Sequence, residues 1–241
     1  GGRWDATNVV EAEVAVVCPV DLDHTHLLGG TVAEIAAEKA GIIKAGAKAV
    51  LAAQQPDAAR VLLARCAEVG AEVLREGVEF GLIGRTPAIG GQVLRLDTAE
   101  GPLGDLFLPL FGAHMAQNAA LAVAAVEAFL GGKPLPPEVI SAGLEQVEAP
   151  ARLEIVRRSP TVVIDTCHNP HGARATIDAV TEAFDFTPLV GVVAMMADKD
   201  VDGVLGIFAE AMTSVVCTSI GSTTRALPAA GSGMPIEARR R

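Results

Sequence analysis

The sequence contains no tyrosine, and aromatic residues make up only 3% of its 241 positions, with a single tryptophan. Few rings are left to stack bases, which sets single-stranded nucleic-acid binding aside. Cations are scarce as well: 19 Lys and Arg stand against 29 Asp and Glu, a formal net charge of −10. A surface for nucleic acid needs clustered Lys and Arg, so no nucleic-acid partner is expected, although a local anion site stays open. No uninterrupted apolar run reaches the roughly 18 residues that span a bilayer, so no membrane partner is expected. The longest lie near 118–130 and 187–197. The first residues show no basic segment followed by an apolar stretch, and no secretory leader is read there. Cys18, Cys66, Cys167 and Cys217 show no Cys-x-x-Cys spacing. Three of the four lie in or beside apolar runs that read as buried strands, which fits a reduced, cytoplasmic setting. Also missing is a Gly-x-x-x-x-Gly-Lys-Ser/Thr phosphate loop.

What is present is apolar material: 50% of residues, with a mean hydropathy of +0.39. That suffices for one or two packed domains. A β-branched run from Ala12 to Val20 predicts a buried strand, ended by Pro19 and the loop Asp21-Leu22-Asp23-His24. Thr31 with Glu34 forms a capping-box pattern, Val32, Ile35 and Ala36 keep helical spacing, and Gly41 can end the helix, which puts Lys39 in its last turn. Ala47 to Ala52 reads as a strand, Asp57 to Val69 as a helix and Ala71 to Leu74 as a strand. Such alternation predicts an α/β sheet. Between Phe80 and Leu110, short strands punctuated by Gly90-Gly91 and Gly101-Pro102 suggest an antiparallel ribbon. His114 to Leu130 is alanine-rich and helical, and Pro136-Pro137 opens another helix to about Val147.

Glu148-Ala149-Pro150-Ala151 breaks the pattern, and a domain boundary is expected at about residue 150. A second strand and helix series follows, with strands at 153–156, 162–164, 189–195 and 214–218. The last three read as parallel strands of a domain spanning 151–220. Residues 221–241, which carry Gly231-Ser232-Gly233 and end in three arginines, read as a disordered or aberrant tail.

In Asp165-Thr166-Cys167-His168-Asn169-Pro170, an aspartate and a histidine follow an apolar strand. Asn169 and Pro170 can cap and open the next helix, whose N-terminus attracts anions. Arg152, thirteen residues before Asp165, could clamp a phosphate with its guanidinium. Read singly, each residue favours the plainer role: His168 a loop cap, Arg152 a surface cation, Lys39 a helix-terminal cation and Asn118 a polar helix edge.

Taken in order, Gly1 to Asn8, His24, Lys39, His114 with Asn118, Arg152-Leu153-Glu154, Asp165 to Pro170, Gly172-Ala173 and Asp198-Lys199-Asp200 resemble successive motifs of the folylpolyglutamate synthase and dihydrofolate synthase family, within the Mur ligase superfamily. The resemblance covers about Gly1 to Thr218. It implies an α/β protein: part of a central ATPase domain over 1–150, then a truncated Rossmann-like C-terminal domain. It also implies a monomer that uses ATP and Mg2+ to join L-glutamate to dihydropteroate or a reduced folate through an acyl phosphate.

By the same resemblance His24 is a magnesium ligand, and Lys39 reacts with carbon dioxide to become a carbamate whose oxygens suit a hard cation. Asn118 meets the adenine, Arg152 the phosphates, Asp165 the ribose or its neighbourhood, and His168 the transferred phosphate or incoming glutamate. Lys44, Lys48 and His26 are left as solvated or loop residues. Ala151 stands where the family commonly has glycine. Without the phosphate loop, negligible catalysis is expected of this chain alone. A Mur-type amino-acid ligase and a non-catalytic binding module are the alternatives.

Overall fold

The computed structural model describes residues 6–22, 28–221 and 227. The chain divides between Glu148 and Ala149 into two compact units.

In the first unit, strands β1 (Val14–Val17), β2 (Lys48–Leu51) and β3 (Glu72–Arg75) form a parallel sheet in that order. Helices α1 (Val32–Ala40) and α2 (Pro56–Val69) supply the crossovers. They bury Ile35, Ala36, Leu62 and Cys66 against Ala15, Val17, Ala49 and Leu51 on one face of the sheet. The opposite face, through Val50 and Ala52, meets α3 (Ala113–Phe129). Alanine is the best helix former, and its small side chain lets α3 pack closely on its neighbours. The antiparallel β4 (Gly81–Ala88), β5 (Gly91–Thr98) and β6 (Gly101–Leu108) add Leu94, Leu96, Leu106 and Leu108 to the same core, and α4 (Pro137–Glu145) packs on β6.

The α1 cap forms as its sequence predicts. The Thr31 hydroxyl accepts from the Glu34 N–H at 3.2 Å, while the Glu34 carboxylate accepts from the Thr31 N–H at 3.0 Å. Gly41 closes the helix in ordinary right-handed geometry, with φ −59°.

In the second unit, β7 (Glu154–Arg158) and β8 (Thr161–Ile164) form an antiparallel hairpin. α5 (Pro170–Ala183), β9 (Val190–Val193), α6 (Val201–Ala211) and β10 (Ser214–Cys217) follow, with β9 and β10 parallel. Of the three strands expected to run parallel, only β9 and β10 pair with one another. β8 pairs with β7, because the three-residue separation from Arg158 to Thr161 favours a local hairpin. Ala173 and Ile177 of α5 pack with Val204 and Phe208 of α6 in the core of this unit. On its surface Arg174 grips Glu210 through two bonds of 2.7 and 2.8 Å.

The cysteines fall where the sequence places them, Cys66 buried on a helix and the other three in or beside strands, but those three are less buried than expected: Cys18 is exposed, and Cys167 and Cys217 are half-buried, all four being free thiols. Of the stretch expected to be a tail, Leu227 is described, and its N–H donates to the Met195 carbonyl at 2.9 Å. Among the described residues no helix is long and apolar enough to cross a membrane.

Candidate functional site

Lys39 occupies the last turn of α1, half-buried, and its amine makes no hydrogen bond or ion pair among the described residues. His24 lies outside the described residues, but the segment leading to it does not. That segment leaves the carboxyl end of β1, the sheet edge at which α/β proteins bind ligands. Gln54, just past β2, clamps it: the side-chain oxygen accepts from the Val20 N–H at 2.9 Å, and the amide donates to the Cys18 carbonyl at 3.0 Å. A glutamine after a strand carries no sequence signal for such a clamp, because its partners lie 34 to 36 residues away.

Lys44, read from sequence as solvated, is instead half-buried and fixed. Its ammonium donates to the Asn8 carbonyl at 2.8 Å and to Asn8 Oδ1 at 2.9 Å, so the end of the Ala6-Thr7-Asn8 motif is tied to the turn after α1. Lys48 is likewise half-buried and lies 3.9 Å from the Glu72 carboxylate. His26 lies outside the described residues.

Asn118 is exposed on α3, its amide 4.0 Å from Met115 Sδ, and His114 sits half-buried in the first turn. The entry to this helix is set by Gln92 of β5, a residue the sequence did not flag. It is 1% exposed, and its amide donates to the carbonyls of Leu110 and Gly112, both at 2.9 Å.

The second unit gathers Arg152, Asp165 and His168 around one loop. Ala151 and Leu153 have φ of 55° and 51°, the left-handed region that costs a non-glycine residue about 1–2 kcal/mol. Arg152 stands between them, exposed, and its guanidinium makes no hydrogen bond or ion pair among the described residues. Three side chains hold the turn. Glu154 accepts from the Ala151 N–H at 2.8 Å, the Thr166 hydroxyl donates to the Ala151 carbonyl at 3.2 Å, and Asp165 Oδ2 accepts from the Leu153 N–H at 3.1 Å. Asp165 Oδ1 accepts from the Cys167 N–H at 2.8 Å and from the Thr176 hydroxyl at 2.9 Å. Both oxygens of this carboxylate are therefore occupied by the protein.

His168 is exposed, its Nδ1 3.2 Å from the Thr166 carbonyl oxygen. Asn169 caps α5 by accepting from the Gly172 N–H at 2.7 Å, and Asp200 caps α6 through the Gly203 N–H at 2.9 Å. A Cβ at Gly203 would come within 2.9 Å of the Pro170 ring, so the first turns of the two helices lie against one another. Burial, reinforced by the Asp165 carboxylate and opposed by Thr176, pushes the Cys167 thiol up to about 11. It is no nucleophile at neutral pH.

Residues 151–236 match the family described as Mur ligase, glutamate ligase domain, a match that extends into the stretch after 220. The dihydrofolate synthase/folylpolyglutamate synthase of Mycobacterium tuberculosis is 46% identical over 231 residues, 92% of this chain and 47% of that protein. The crystal structure of Mycobacterium tuberculosis folylpolyglutamate synthase complexed with ADP and AMPPCP superposes with a TM-score of 0.89 at 47% identity, over 95% of this chain and 52% of that one. A folylpolyglutamate synthase complex with AMPPCP and folate gives 0.84 at 35% identity, over 90% and 53%. The chain thus spans about half the length of the relatives it matches. Over more than nine-tenths of its length it is similar in sequence and in fold to folylpolyglutamate synthases and dihydrofolate synthases, and residues 151–236 carry the glutamate ligase domain of Mur ligases.

Proposed function

We propose that this chain carries the nucleotide- and glutamate-facing part of an ATP-dependent ligase that adds L-glutamate to dihydropteroate or a reduced folate. The acceptor carboxylate takes the γ-phosphoryl group of ATP to become an acyl phosphate. The amine of glutamate then attacks the carbonyl carbon, and phosphate leaves as the amide forms. The observation that carries this reading is Arg152: an exposed guanidinium that makes no hydrogen bond or ion pair among the described residues, held on a strained turn in the loop cluster that opens α5. A fork of donors in that position suits phosphate oxygens. Asn118, exposed on α3, is assigned to the adenine. His168, beside the paired helix N-termini, is assigned to the transferred phosphate or the incoming glutamate.

For the metal, the described residues hold no group of three or more His, Cys, Asp or Glu able to bind an ion. Lys39 fits as its carbamate, since its half-buried amine has no protein partner among the described residues to compete for carbon dioxide. Lys39 in that form and His24 would hold Mg2+, whose contribution is to neutralise charge on the phosphates. The domain at 151–236 is shared with Mur ligases, but the 46% identical relative carries the folate name.

Calorimetric titration of the intact protein with AMPPCP and Mg2+ tests the assignment. Arg152→Ala is expected to weaken binding at least about tenfold, or 1.4 kcal/mol, with an unchanged melting temperature. Equal affinity of the variant and the parent would refute the role of Arg152.

A further inference from the structure

A phosphate contact made by one arginine is only as good as the backbone that aims it. Arg152 sits on an unusual backbone: the residues on both sides of it take left-handed φ, although neither is glycine. Conformations of this kind persist only where the surroundings over-determine them. Here the surroundings are few and identifiable. Leu153 is 3% exposed, so its side chain is committed to the interior, and its N–H has the Asp165 carboxylate as partner. Asp165 in turn is oriented by the Cys167 N–H and by the Thr176 hydroxyl, a residue 9% exposed on α5. Thr166, the next residue along the loop, holds the Ala151 carbonyl.

We infer that Asp165 is a positioning residue for Arg152: with Thr176 behind it and Thr166 beside it, it holds the left-handed Ala151-Arg152-Leu153 arch that aims the guanidinium at nucleotide phosphate. This rests on the reading that Arg152 meets those phosphates. It gives Asp165 a task within the protein, since each of its oxygens already accepts from it. The chemistry of the arch explains why an aspartate is needed. Three donors converge on one carboxylate, and an asparagine has one oxygen with which to serve them. If that oxygen stays with Cys167 and Thr176, the amide NH2 faces the Leu153 N–H, donor against donor, and the arch loses the bond that fixes its far end.

The test is a double-mutant cycle read by AMPPCP-Mg2+ affinity in the intact protein. Arg152→Ala, Asp165→Asn and the pair are compared, with melting temperatures recorded alongside. Asp165→Asn is expected to weaken AMPPCP about five- to tenfold alone, and by less than twofold when Arg152 is already alanine. Thr166→Val, an exposed site whose hydroxyl touches only the arch, is expected to show the same dependence on Arg152 and to decide the matter if Asp165→Asn does not fold. Multiplying losses in the double variant would mean that Asp165 touches the ligand itself, and would overturn the inference. A lowered melting temperature with parental affinity would overturn it too, leaving Asp165 a purely structural residue. If Arg152→Ala alone leaves the affinity unchanged, the phosphate assignment has failed and the inference falls with its premise.

Discussion

Replacing Gln92 with leucine should loosen the start of α3 far more than a single polar substitution on a strand would suggest. The side chain is 1% exposed and donates to the carbonyls of Leu110 and Gly112, while its own oxygen lies 3.4 Å from Arg85 Nη1. Leucine removes both donated bonds, worth about 1 kcal/mol each. The consequences differ at the two carbonyls. That of Gly112 still accepts from the Met115 and Ala116 N–H groups, whereas the Leu110 carbonyl loses its side-chain donor, for roughly 1–3 kcal/mol more. Burying leucine in place of an amide returns about 1 kcal/mol, so the net cost is about 2–4 kcal/mol. Hydrogen exchange of the intact protein is the suitable assay, because it reads each element separately. Amides of α3 should lose protection by a factor of about 30 to 700, at 1.4 kcal/mol per tenfold, while those of α5 in the other unit keep theirs. Less than a threefold change in α3 would show that the two bonds contribute nothing net, and the reasoning would be wrong.

Two further outcomes are expected. With the Cys167 thiol raised from 9.0 to about 11, the folded state holds its proton where the unfolded chain releases it. Its contribution to stability is therefore intact below pH 9 and declines as pH rises toward 11, by about 1.4 kcal/mol per unit. Urea midpoints for the parent and Cys167→Ala should diverge in that window alone, and parallel curves would refute the assignment. Lys44→Met should release the 6–9 turn by deleting both bonds to Asn8, at about 1–2 kcal/mol, seen as faster exchange at Val10, whose N–H donates to the Thr7 carbonyl; unchanged exchange there would show that Lys44 is not the anchor.

What could be read directly from the sequence was whatever is encoded locally. Thr31 and Glu34 announce the α1 cap three residues apart, alanine announces α3, and Asn169-Pro170 announces α5. The family's motif residues were legible because their order along the chain carries information that no single one does. Gln54, Gln92 and Lys44 were not legible: each meets partners 18 to 37 residues away, and nothing in a lone glutamine or lysine names them. The pairing of β8 failed for a related reason. An apolar strand pattern records burial but not which neighbour supplies the hydrogen bonds, and the adjacent β7 was the closer competitor. Asp165 was found as a candidate, but its three donors were visible only once the loop, β7 and α5 were folded together.

Position 153 illustrates how conflicting demands narrow what substitution can accept. Its backbone, at φ 51°, asks for glycine or asparagine, while its 3% exposure asks for a large hydrocarbon. No amino acid satisfies both. Glycine would relax the chain and leave a hole, and valine or isoleucine would fill the space but resist the turn through their branched Cβ. Leucine is unbranched at Cβ and still bulky, which leaves it and methionine as almost the entire tolerated alphabet. In a saturation library selected for folding, this site should show one of the sharpest residue preferences in the second unit. Ala151, half-buried at a similar φ, has no bulky side chain to bury and should accept glycine freely.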